Sequence, residues 1–158
     1  LDTKLQNALA MFMNIHSRFI FENRFYEARQ EGLVSEDKIT EMMVEAQKEV
    51  YQGALATYHP YFWAAKLHFF IDDVPFYNFP YTFGYLFSLG IYAYANQKGA
   101  NFEEEYIHLL RDTASMTTED LAKKHLNVDL TQPDFWQAGI DMVTEDIQTF
   151  MELTEEFI

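Results

Sequence analysis

The chain contains no cysteine. Disulfides and thiolate metal sites are therefore excluded, and the absence fits a reducing compartment. Proline and glycine are scarce, four and six in 158 residues, so long helices can form almost everywhere between a few interruptions. Positive charge is thin as well: 11 Lys and Arg stand against 25 Asp and Glu, a formal net charge of −14. Phosphate backbones and anionic membrane surfaces are held by clustered Lys and Arg, so neither nucleic acid nor a membrane is an expected partner. The acidity reads as solubility. Charge of either sign is missing from Val74 to Gln97, a length that raises the question of a membrane span. Pro75, Asn78, Pro80 and Gly84 interrupt its first half, and the unbroken apolar part is too short. A loop leading into a buried helix is the expectation.

Aromatic side chains are abundant, at 17% of residues, and 49% of the chain is hydrophobic. That is enough to bury a real core and to exclude a disordered chain. The length fits a single helical domain over residues 1–158. Asp2, Lys4, Gln6 and Asn7 break any signal-peptide core at the start. Because the chain opens at Leu1 inside a helical pattern, it is expected to be a portion of a longer polypeptide.

From Thr3 to about Gln30, Leu5, Leu9, Phe12, His16, Phe19 and Phe25 follow a helical stripe, with Gly32 as a stop. Ser35-Glu-Asp-Lys38 reads as an N-cap followed by acidic residues in a first turn. The helix it opens should turn Ile39, Met42, Met43, Ala46 and Val50 inward. Tyr58-His-Pro60 is a break. Tyr61 to Phe70 is expected to be a short aromatic helix, and Tyr81 to Asn96 a buried one. Phe102 to Arg111 is amphipathic, and Thr117 or Thr118 caps a short helix. Pro133 lies early in a last helix that runs through Trp136, Ile140, Val143, Ile147, Phe150 and Met151. No alternation of strand length stands out, and an all-α, multi-helix fold follows.

The densest chemistry lies in Asp73-Val-Pro-Phe-Tyr-Asn-Phe-Pro-Tyr-Thr-Phe-Gly-Tyr-Leu-Phe-Ser88. Tyr77, Tyr81 and Tyr85 recur at a spacing of four, and His68 lies just upstream. Prolines fix the backbone, so phenols can be oriented before a ligand arrives. Such a wall can donate hydrogen bonds to a carbonyl or to a developing oxyanion. The same residues can equally be core side chains whose polar tips find a backbone partner or water.

Other chemistries fail on spacing. Zinc on one helix face needs His-Glu-x-x-His, and the residues after His16, His59, His68, His108 and His125 are Ser, Pro, Phe, Leu and Leu. A di-iron site needs two Glu-x-x-His copies. Glu105-Tyr-Ile-His108 is the one present, and it reads as a helix face with neighbouring carboxylate and imidazole. No Gly-x-Ser-x-Gly elbow and no Gly-rich phosphate loop occurs. Asp72-Asp73 reads as a solvated turn or cap.

Tyr61-Phe-Trp-Ala-Ala-Lys-Leu-His-Phe69 and Val74-Pro-Phe-Tyr-Asn-Phe-Pro-Tyr-Thr-Phe-Gly-Tyr-Leu-Phe-Ser-Leu-Gly90 together resemble the oligoendopeptidase F family of thimet-type zinc metallopeptidases. The resemblance extends to Arg18-Phe-Ile-Phe-Glu-Asn-Arg-Phe-Tyr-Glu-Ala-Arg29, Leu109-Leu-Arg-Asp-Thr113, Leu121-Ala-Lys-Lys-His-Leu126 and Pro133-Asp-Phe-Trp136. It implies the C-terminal portion of a cytoplasmic peptidase acting on oligopeptides, with the zinc motif, a third glutamate ligand and the general base upstream. None of those ligands stands in this sequence, so zinc is implied for the longer enzyme and none for this portion, whose partner is the missing N-terminal part. In the resemblance His68, Tyr77 and Tyr81 are the catalytic donors, with Gly84 and Tyr85 completing the substrate-binding set. Phe79, a tyrosine in many relatives, has no hydroxyl to donate. A non-catalytic helical module that binds a peptide or another helix is the alternative expectation.

Overall fold

The computed structural model describes residues 1–99 and 102–157. Among the described residues the regular structure is helical throughout and no strand occurs, as the sequence pattern predicts. The sequence treats residues 1–158 as one helical domain; within it, the chain gathers into two compact units, Asp2–Phe83 and Gly84–Ile158.

In the first unit, α1 (Asp2–Leu9) passes through a π-helical turn, Ala10–Asn14, into α2 (Ile15–Gln30). A π turn displaces backbone carbonyls from their usual partners. One of them, Met11 O, accepts a bond from Thr82 Oγ1 at 2.6 Å. α3 (Glu36–Val50) begins at Ser35, whose hydroxyl accepts from the Lys38 N–H, with Glu36 and Asp37 in the first turn. Met42, Met43, Ala46 and Val50 are buried as expected and Ile39 is half-buried. Met42, Met43 and Ala46 form a core with Phe21 of α2, against which Phe25, Phe62, Trp63 and Phe69 pack. Burying a side chain such as Met43 contributes about 1.5–3 kcal/mol. Leu9 and His16 depart from the expected stripe and are exposed; the π turn between them shifts the helical register before His16.

The break at His59-Pro60 is held by one buried amide. Gln47 Nε2 donates to the His59 carbonyl at 3.0 Å, and its Oε1 accepts from the His59 N–H at 3.3 Å. Beyond it, the aromatic helix expected over Tyr61 to Phe70 does not form. Two short 3-10 turns, Trp63–Ala65 and Leu67–Phe70, replace it, with Lys66 extended between them. Phe62, Trp63 and Phe69 all pack on the same core.

α4 (Phe79–Lys98) starts two residues earlier and ends two later than the pattern suggests, and the boundary between the units falls within it. It is less buried than its composition implies: Gly90 and Ala93 are its buried residues, whereas Phe79, Tyr81 and Tyr92 are exposed.

The second unit continues with α5 (Phe102–Asp112), α6 (Thr118–Leu126) and α7 (Asp134–Thr154). Thr117 caps α6 by accepting from the Asp120 N–H, and Asn127 ends it in the left-handed region at φ 53°, which Asn tolerates better than most residues. Pro133 precedes the first turn of α7. Phe102, Leu109, Leu121, Leu126 and Phe135 form this unit's core. On α7 burial is confined to Phe135, Gly139 and Val143, while Ile140, Ile147 and Met151 are exposed. α4 and α7 approach closely through two glycines. A Cβ on Gly90 would strike the Phe135 ring, and one on Gly139 would lie 2.8 Å from Leu89 Cβ.

Gly90→Ala is expected to destabilise the chain by about 1–3 kcal/mol through overpacking, read as a lowered urea midpoint. Gly84→Ala, where a Cβ meets nothing within 4 Å, should leave that midpoint unchanged or raised.

Candidate functional site

The placing of the aromatic segment begins with a buried carboxylate. Glu22 of α2 is 1% exposed. Its Oε1 accepts from the Phe76 N–H at 2.9 Å and its Oε2 from Asn78 Nδ2 at 3.3 Å. Phe76 sits at φ 57°, in the left-handed region, which costs a non-glycine residue about 1–2 kcal/mol. The Glu22 bond to its N–H holds it there. Phe76 also packs edge-on against Tyr26, centroids 5.0 Å apart, and contacts Phe19. Tyr77 lies between these two anchored residues, and Tyr81 follows in the first turn of α4.

His68, Tyr77 and Tyr81 come together as the sequence suggests. Their ring centroids form a compact triangle: 5.0 Å from His68 to Tyr77, 5.8 Å from His68 to Tyr81, and 5.8 Å between the tyrosines. The phenols reach solvent, Tyr77 36% and Tyr81 38% exposed. His68 Nε2 stands 3.5 Å from the Tyr81 hydroxyl, too long for a strong bond, so both groups keep capacity for a third partner. His68 Nδ1 is buried with no hydrogen-bond partner. Protonation on Nε2 avoids an unpaired buried N–H and turns the donor toward the phenols. Burial, then the nearby Arg18 and Lys66 charges, lower the imidazole's pKa, which favours the neutral ring. The Tyr81 phenol is raised above its ordinary range, first by its hydrogen bonding with Tyr77, then by desolvation, so it stays a donor at neutral pH.

Gly84 and Tyr85 follow Tyr81 on α4, beyond the point where the second unit begins. Gly84 is exposed on α4 and Tyr85 half-buried. Asp72 and Asp73 are exposed. Glu105 pairs with Lys98 at 3.4 Å and His108 is exposed, so that helix face is solvated. Sequence reasoning overlooked Arg18, Glu22, Phe62 and Lys66. Glu22 and Arg18 both lie in the α2 segment singled out by resemblance, and two charged residues on the buried face of a helix were the available signal.

Chemically, two phenols and an imidazole can hydrogen-bond one oxygen and polarise it. Ser17 is buried and donates to the Asn14 carbonyl at 2.8 Å. Among the described residues no three His, Asp or Glu side chains converge to hold a metal ion. Comparison of the chain with protein-family models, curated proteins and solved structures gives no match. No helix among the described residues is long and apolar enough to cross a membrane.

The pKa of Glu22 is raised, chiefly by desolvation, against hydrogen bonds from Asn78, Phe76 and Tyr26 that act the other way. Because the folded pKa exceeds the unfolded one, the protonated form favours folding. That contribution is complete below the ordinary carboxylate range and is lost as pH rises through the folded value. Thermal melts from about pH 4 to about pH 7 should show the wild type losing stability relative to Glu22→Gln as pH increases. A difference that is flat or grows the other way would contradict the raised pKa.

Proposed function

We propose that this chain forms the C-terminal, substrate-facing part of a cytoplasmic zinc oligoendopeptidase. The observation that carries the reading is the triangle of His68, Tyr77 and Tyr81: three donors on partly exposed rings, gathered from separate turns, with Glu22 bonded to the residues on either side of Tyr77. In such an enzyme the metal and the general base that activate water would be carried upstream of Leu1. This chain's own contribution is to bind the peptide backbone. His68 Nε2–H and the Tyr81 hydroxyl donate to the carbonyl oxygen of the bond to be cut, and Tyr77 orients Tyr81. Donors of this kind count most when negative charge collects on that oxygen. An oligopeptide suits the site because an extended backbone presents its carbonyls in sequence, whereas a folded protein hides them in helices and sheets.

In the polypeptide that includes the upstream region, Tyr81→Phe is expected to lower kcat about 100-fold, the loss typical of one oxyanion donor, with zinc content unchanged. Unaltered kcat in both Tyr77→Phe and Tyr81→Phe would remove the phenols from the mechanism. The reading frame upstream of Leu1 offers a direct check. A His-Glu-x-x-His motif there supports the peptidase, and a start codon without one supports a helical peptide-binding module.

A further inference from the structure

A second feature beside the triangle is a pair of cations without counter-charges. Arg18 is only 9% exposed. Its guanidinium lies over the Phe62 ring, 5.1 Å from the centroid, and the Lys66 ammonium lies 4.7 Å from the centroid of the same ring. Arg18 Nη2 donates to a neutral amide oxygen, Asn14 Oδ1, at 2.5 Å, and Arg18 Nε is buried with no acceptor. Neither cation forms an ion pair with any described residue, whereas Arg24, Lys38, Lys98 and Lys124 each pair with a carboxylate. Leaving a guanidinium buried without a counter-charge is costly. Carboxylates are not in short supply, with 25 acidic residues against 11 basic ones. Glu22, one helical turn from Arg18 and well spaced to pair with it, is bonded instead to Phe76 and Asn78.

Both cations act on the triangle. Arg18 and Lys66 each depress the His68 pKa, after burial, and Arg18 also favours the ionised form of Tyr81. Lys66 stands two residues before His68 in the chain, and the Phe62 ring that it shares with Arg18 lies four residues before Lys66.

We propose that Arg18 and Lys66 form a subsite, beside His68 and Tyr81, for a carboxylate of a bound peptide, either its C-terminus or an acidic side chain. The inference rests on the peptide-facing reading of the triangle. Lys66 supplies a mobile ammonium that can bond the carboxylate directly. Arg18 acts from beneath, in surroundings where its charge is weakly screened. A ligand carboxylate supplies the counter-charge that the chain withholds.

The test titrates the isotopically labelled 158-residue chain with three N-acetylated tripeptides of one apolar sequence and reads the His68 Cε1–H resonance. One peptide is a C-terminal amide, one has a free C-terminus, and one is an amide with aspartate at one position. At least one charged peptide is expected to bind about tenfold more tightly than the neutral amide, as for a hydrogen bond to a charged group, and which one does so identifies the source. Lys66→Met should erase the preference and Lys66→Arg restore it. Equal affinities for all three peptides, or a preference that survives Lys66→Met, would overturn the carboxylate subsite while leaving His68 facing the peptide. No His68 response to any peptide would overturn the subsite and the peptide-facing role together.

Discussion

A carboxylate held almost entirely out of water is the contact on which the positions of the phenols depend. Glu22 accepts from the Phe76 N–H and from the Asn78 side chain, and Tyr77 lies between the two. Proline alone could not do this. Pro75 and Pro80 restrict their own φ angles, but a loop so restricted still needs a fixed point on the body of the molecule. Phe76, held at positive φ, shows that the fixed point is strong enough to select a conformation the residue does not prefer. Desolvation raises the Glu22 pKa, so the anchor is made against an opposing cost. Its bonds serve to specify one loop geometry as much as to stabilise it.

The helical class and most helix starts were legible because they rest on local rules. Ser35 and Thr117 cap the helices they precede, and Met42, Met43 and Ala46 keep the inward face that their spacing announces. The segment Tyr61 to Phe70 was misread because several of its aromatic residues pack on the core of α2 and α3, and periodicity cannot foresee that override of helical propensity. α4 was read as buried on composition alone, but its apolar residues are spread round the helix and several remain exposed. Of the candidate site, His68, Tyr77 and Tyr81 were found from residue type and spacing. Gly84 and Tyr85 continue the same helix, α4, beyond Tyr81.

What sequence could not reveal is how charges are assigned to partners. On α2, Arg18 and Glu22 look like an internal ion pair, one helical turn apart on the buried side. In the fold the acid is bonded to the loop and the base to a neutral amide. Glu22 is turned to the loop, and Arg18 has no carboxylate partner among the described residues. Two charged residues one turn apart on α2 thus serve different neighbours, the acid the aromatic loop and the base an amide and the Phe62 ring.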